Sequence, residues 1–225
     1  MARDHQEVDL KLDYIGEIFT QELDTQKSIR TKSIGDDVIH MQVTSVEAGI
    51  VGFLLKTIGA KKVVEIGSLY GYSASWILRS LPEDGKLVCF ERSEKCSAII
   101  NKNLEAIEKD HGRTNPRFRV LTGDALPLLK TIESEGPFDA VFIDADKGNY
   151  PNYLTWAEKN VRKGGLIIGD NTFLFGEVYL SDDKATESKS RRQAMNDFNK
   201  RLADKTKFNS IMLPTHEGLT IGQVL

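Results

Sequence analysis

Apolar residues first gather on one side of a helix. Tyr14, Ile15, Ile18 and Phe19 recur at helical spacing within residues 6–23. Residues 25–37 are mostly polar and read as a loop or a mobile cap. Thr44 followed three residues later by Glu47 is a capping-box signature. The helix it opens carries Ile50, Val51, Leu54, Leu55 and Ile58 on one face, and Gly59 stops it.

Beyond Gly59 the period alternates. Short apolar runs at residues 62–66, 86–90, 118–121, 138–143 and 165–168 have strand character. Between them lie helical stretches at 72–81, 93–109 and 125–133, with one more after 143. The run 138–143 is almost wholly apolar, as expected of a strand covered on both faces. Such alternation predicts right-handed crossovers and a parallel, doubly wound sheet. A helix over 190–203 is followed by two β-like runs, 209–213 and 219–224. Only residues 214–218 join them, too few for a crossover helix, so they must form an antiparallel hairpin. The expected fold is α/β: a Rossmann-like, doubly wound, mainly parallel seven-stranded sheet with helices on both faces and a C-terminal antiparallel hairpin.

Length and charge narrow the function classes. The 225 residues suit one α/β domain, 1–225, with residues 1–45 as an N-terminal helical cap or dimer segment. Thirty basic against 33 acidic residues leave a net charge of −3, with no basic field to recruit nucleic acid or anionic lipid. No apolar run approaches the ~18 residues of a membrane span. Residues 1–11 are charged and lack a signal peptide's apolar centre. Cys89 and Cys96 read as reduced thiols, and the chain as soluble and cytoplasmic.

Candidate chemistry sits where strands end. Glu65-Ile66-Gly67-Ser68-Leu69-Tyr70-Gly71 is a strand, a glycine loop and a helix start. A dinucleotide loop needs G-x-G-x-x-G, and Leu69 stands at its second glycine. A zwitterionic amino acid suits the loop better than a pyrophosphate: the region of Ser68 and Ser73 for a carboxylate, Glu65 for an ammonium or for ordering the loop. An ordinary βα turn is the other reading. Glu91 ends the next strand, where a carboxylate can accept from a ribose diol; a solvated strand-end charge is its alternative. Gly123-Asp124-Ala125 ends the third strand, at the adenine position, although Asp124 could equally cap a helix.

Asp144-Ala145-Asp146-Lys147 follows the fourth strand and Asp170-Asn171 the fifth. Asp144, Asp170 and Asn171 offer oxygen only, which selects Mg²⁺, or Mn²⁺ or Ca²⁺, over zinc. Helix capping after each strand is the bland alternative. Three local imitations fail: Asn149 breaks the calcium-loop template, Thr220 the zinc-helix spacing after His216, and Ser75 the hydrolase elbow. A nicotinamide oxidoreductase is disfavoured by Leu69 and the hairpin, and a non-catalytic nucleotide module by Lys147 and the oxygen set.

Taken in order, His40-Met41-Gln42-Val43, Glu65-Ile66-Gly67 with Gly71-Tyr72-Ser73, Phe142 to Lys147 with Asn149-Tyr150, and Asp170-Asn171-Thr172 with Gly176 resemble the cation-dependent O-methyltransferases of the caffeoyl-CoA and catechol type. The likeness runs from about Tyr14 to the C-terminus. It implies transfer from S-adenosylmethionine to a hydroxyl of a catechol-like phenol, with a divalent cation, Mg²⁺ first. Asp144, Asp170 and Asn171 match the family's metal ligands, and Lys147 its general base. Val43, Glu65, Gly67, Ser68, Ser73, Glu91, Ala125 and Asp144 match its donor contacts. The resemblance also implies a homodimer. Where plant members read Leu-Trp-Asn, this chain has Phe173-Leu174-Phe175, expected to wall the acceptor pocket. Residues 181–190 read as a solvated loop or a flexible lid.

Overall fold

Seven strands and eight α-helices form among residues 10–225, the residues that the computed structural model describes. In chain order they are α1 Leu10–Phe19, α2 Asp24–Gly35, α3 Ser45–Thr57, β1 Lys62–Ile66, α4 Tyr72–Ser80, β2 Lys86–Glu91, α5 Glu94–Asp110 and β3 Phe118–Thr122. Then come α6 Ala125–Thr131, β4 Phe138–Ile143, α7 Tyr150–Asn160, β5 Val161–Gly169, α8 Lys189–Leu202, β6 Phe208–Leu213 and β7 Leu219–Val224. The strand order is β3-β2-β1-β4-β5-β7-β6, and the last two strands form the expected hairpin. β7 runs antiparallel to both β5 and β6, while β1–β4, β4–β5 and β2–β3 are parallel. Expectations for residues 1–9, including the start of the first helical stripe, lie outside the described residues.

The chain groups into two compact units, one running to Lys61 and again over Ser68–Gly123, the other Lys62–Gly67 with Asp124–Leu225. In the first, α3 is capped as its sequence requires. Glu47 N donates to Thr44 Oγ1 at 3.2 Å, and Thr44 N to Glu47 Oε2 at 2.9 Å. Such reciprocal capping contributes about 1 kcal/mol.

Helix α2 corrects the expectation of a loop over 25–37. Its inward residues are Gln26, Ile29 and Ser33, a helical spacing with only one apolar member, so hydrophobic periodicity could not reveal it. Polar contacts replace apolar ones. Gln26 Oε1 accepts from Leu23 N at 2.9 Å, Gln26 Nε2 donates to Ser75 Oγ at 3.1 Å, and Ser33 Oγ donates to Gln42 Oε1 at 2.8 Å.

In the second unit, β1 and β4 are buried along both faces, with Val64, Val141 and Ile143 at 0 % exposure. Each such side chain contributes roughly 1.5–3 kcal/mol. Register then aligns their ends. Ile66 pairs with Ile143, and Ile143 with Gly169. The next residues, Gly67, Asp144 and Asp170, therefore stand in a row. Asp144 N donates to Ile66 O and Asp170 N to Ile143 O, each at 2.9 Å.

Candidate active site

That row is tight enough to dictate its residues. Gly67 has φ 88°, and a Cβ there would lie 2.1 Å from Asp144 O, so only glycine lets the ends of β1 and β4 meet. Lys147 follows Asp144 by one short turn and is buried to 7 % exposure. Its ammonium donates to Asp144 Oδ1 at 2.9 Å, Asn171 Oδ1 at 2.8 Å and Tyr150 Oη at 2.7 Å. Two of the three expected metal ligands thus converge on the nitrogen of Lys147. Asp170, the third, is wholly buried between Gly169 and Asn171. Asn171 itself sits at φ 55°, the left-handed region that asparagine tolerates better than most residues.

Tyr150 was not assigned a role from sequence. Its hydroxyl accepts from Lys147 and lies 2.8 Å from Asp170 O and 3.1 Å from Ile143 O, the carbonyls flanking the two carboxylate-bearing turns. The ring is fully buried against Phe198, centroids 5.0 Å apart, and Lys147 Nζ stands 4.8 Å from its centroid. The signal was a tyrosine three residues after the lysine, one turn further along.

In the first unit the glycine loop is held by Glu91. Leu69 N donates to Glu91 Oε2 at 2.9 Å, and Ser93 N to Oε1 at 2.8 Å. Leu69 occupies φ 48°, a conformation costing a non-glycine residue roughly 1–3 kcal/mol unless its surroundings impose it. Glu91 therefore orders the loop, the part that sequence offered to Glu65. Two of a carboxylate's roughly four acceptor sites are used, which leaves capacity for a diol.

Ser68 is buried, and its carbonyl accepts from Gly71 N at 2.6 Å. Ser73 lies in the first turn of α4, and Val43 is buried just ahead of α3. In the second unit Glu65 is fully buried within β1, and Ala125 opens α6. Asp124 takes the N-cap position of α6 without a side-chain capping bond.

The segment after Asn171 divides unevenly. Phe173 and Phe175 are partly exposed, whereas Leu174, at φ 50°, is completely buried. Leu174 is therefore a packing residue and not part of an acceptor wall. Phe173 stacks edge-on with the exposed Tyr179 at 6.2 Å. Residues 181–190 are largely exposed, as a solvated segment should be, and are stapled at both ends. Glu177 Oε2 accepts from Thr186 N at 2.7 Å and Glu187 N at 2.6 Å, while Arg192 donates to Leu180 O at 3.1 Å.

The donor set of the second unit fits a hard divalent ion. Two side-chain oxygens already converge on a single cationic nitrogen, and all three candidate ligands are oxygen donors. Among the described residues no three His, Cys, Asp or Glu side chains cluster, since this set is two carboxylates and an amide.

A largely parallel sheet with charged chemistry at its strand ends and a closing hairpin is the fold of methyltransferases. The chain belongs to the O-methyltransferase family, whose model matches residues 17–224. It is 36 % identical over 156 residues to a catechol O-methyltransferase of Niastella koreensis, covering 68 % of this chain and 66 % of that protein. To caffeoyl-CoA O-methyltransferase 1 of Zea mays it is 34 % identical over 210 residues, covering 91 % of this chain and 80 % of the other. An O-methyltransferase structure from Bacillus cereus, in complex with SAH, superposes with a TM-score of 0.84 at 31 % identity, covering 96 % of this chain and 97 % of that one.

Proposed function

We propose that this chain transfers a methyl group from S-adenosylmethionine to a hydroxyl of a catechol-like phenol in a reaction that needs a divalent cation. The observation that carries this reading is the convergence of Asp144 Oδ1 and Asn171 Oδ1 on one positive charge, in a chain of this family. Asp144, Asp170 and Asn171 would hold the ion, Mg²⁺ first, with Mn²⁺ or Ca²⁺ as alternatives. When bound, it supplies Lewis-acid charge and a template for vicinal oxygens. The donor supplies a methyl group activated by its sulfonium.

The chain's own residues do the rest. Val43, Ser68, Ser73 and Glu91 in the first unit match the family's donor contacts, and so, in the second, do Glu65, Gly67, Ala125 and Asp144. Glu91 accepts from the ribose hydroxyls. Lys147, held in place by Tyr150, removes the proton of the attacking hydroxyl once it is in its neutral amine form. Phe173 and Phe175 present aromatic surface to the acceptor ring. Leu10, Tyr14, Ile18 and Phe19 are each at least half exposed on α1, an apolar stripe suited to a homodimer contact.

The test offers labelled methyl donor with catechols, flavonoids and phenylpropanoyl thioesters. Label should pass to vicinal diols, stop on exhaustive chelation and return with Mg²⁺ or Mn²⁺. Full activity after metal removal overturns the metal half of the reading, and no transfer to any diol overturns the acceptor class.

A further inference from the structure

The glycine loop carries two tyrosines, Tyr70 and Tyr72, either side of Gly71, and neither hydroxyl faces solvent idly. Tyr72 Oη donates to Glu22 Oε1 at 2.7 Å, just ahead of α2. Tyr70 Oη donates to Asp36 Oδ2 at 2.7 Å, at the C-cap of the same helix. Each carboxylate also takes a cation from α2 itself. Arg30 grips Glu22 through two nitrogens, Nη2 to Oε2 at 2.8 Å and Nε to Oε1 at 3.0 Å. Lys32 Nζ meets Asp36 Oδ2 at 2.8 Å. A single short helix thus bridges both aromatic anchors of the loop.

The loop between those anchors is the strained piece. Leu69 is left-handed at φ 48°, and such a conformation persists only where the surroundings over-determine it. Tyr70 follows it directly and is pinned at both ends, its carbonyl by Asn103 Nδ2 at 2.8 Å and its hydroxyl by Asp36. Tyr72 opens α4, whose first turn includes Ser73. Both links are fully made at neutral pH. The bond to Asp36 pushes the Tyr70 hydroxyl up to about 12. Burial, then the bond to Glu22, raises that of Tyr72. Lys32 and then Tyr70 hold the Asp36 carboxyl below its ordinary value.

We propose that Glu22 and Asp36 are positioning residues for donor binding, clamping the glycine loop through Tyr72 and Tyr70. The inference rests on the loop being the donor loop, and it gives α2 a function that its polar sequence conceals. Neither carboxylate needs to touch the donor. Each acts by holding a tyrosine whose neighbours, Leu69 and Ser73, shape the loop.

Calorimetric titration of the full chain with S-adenosylmethionine and S-adenosylhomocysteine tests this, on Tyr70→Phe, Tyr72→Phe, Glu22→Ala and Glu22→Gln. Each Phe variant should weaken donor binding about tenfold, the scale of one lost hydrogen bond to a charged group. The donor KM should rise while kcat at saturating donor stays unchanged. Glu22→Gln keeps an acceptor for Tyr72 and should recover part of what Glu22→Ala loses. Combining Glu22→Ala with Tyr72→Phe should cost no more than the worse single change, because both cut one link. Folded variants that bind donor as tightly as the parent overturn the clamp alone. A parent chain that binds neither compound overturns the donor reading and the clamp with it. Since Tyr70 and Tyr72 are tested separately, misfolding of one variant leaves the other to decide.

Discussion

Replacing Tyr150 by Phe removes one oxygen from the centre of the second unit and nothing else. The ring keeps its place, because it is fully buried and packs edge-on against Phe198 at 5.0 Å. Three contacts disappear. Asp170 O loses the hydroxyl at 2.8 Å, Ile143 O loses it at 3.1 Å, and Lys147 Nζ loses one of three acceptors, the one at 2.7 Å. A buried group deprived of a partner costs ~1–3 kcal/mol, and a hydrogen bond from a charged donor is worth ~1.5–3 kcal/mol. Allowing for overlap, the loss should be about 2–4 kcal/mol. In a chain of this length, that lowers the melting temperature by ~4–16 °C. Activity should suffer separately. Lys147 retains Asp144 and Asn171 but loses the contact that sets its depth, and misplacing a reacting group by ~1 Å can cost ~100-fold. Thermal unfolding and single-turnover methyl transfer at saturating donor would measure the two effects. An unshifted melting temperature together with undiminished turnover would refute the role given to the hydroxyl.

Two further outcomes follow from the same geometry. Lys147→Ala should preserve donor binding while slowing turnover ~10²–10⁴-fold, the usual contribution of a positioned base. The deficit should shrink as pH rises and more acceptor arrives ionised; a variant as fast as the parent at neutral pH removes Lys147 from the chemistry. The Tyr70 hydroxyl, raised to about 12 chiefly by its bond to Asp36, contributes stability that is fully present below pH ~10 and lost as pH climbs through 12. In an absorbance titration, Asp36→Asn should move one tyrosine back toward 10, and no movement there would break the link.

What sequence reveals depends on which force builds each element. The strand over 138–143 was legible because burial on both faces demands a nearly unbroken apolar run, and it forms at those boundaries. Helix α3 was legible because Thr44 and Glu47 cap it locally. Helix α2 was hidden because its inward face is Gln26, Ile29 and Ser33, held by side-chain hydrogen bonds to partners far along the chain, such as Ser75. Hydrophobic periodicity carries no trace of such bonds. The candidate metal ligands were visible as residue types at strand ends, since register alone brings Gly67, Asp144 and Asp170 into a row. Tyr150 was not, because its role comes from the height at which α7 starts. Leu174 misled for a related reason. Its neighbours Phe173 and Phe175 stay partly exposed, while a left-handed turn sends Leu174 itself inward.

Asn171 shows how several demands select one residue. Its backbone sits at φ 55°, where glycine, asparagine and aspartate are the residues best tolerated. Glycine would satisfy the backbone but bring no oxygen to the end of β5. Aspartate would bring an oxygen together with a third negative charge beside Asp144 and Asp170, and like charges at one site disfavour their own ionised forms. Asparagine alone meets the backbone, supplies the oxygen and adds no charge. Which end of its amide faces inward is also decided. A lysine ammonium can only donate, so the atom 2.8 Å from Lys147 Nζ must be the carbonyl oxygen and not the amide nitrogen. That same oxygen is the atom a hard cation would take. Lys147 therefore orients the amide for its role as a ligand.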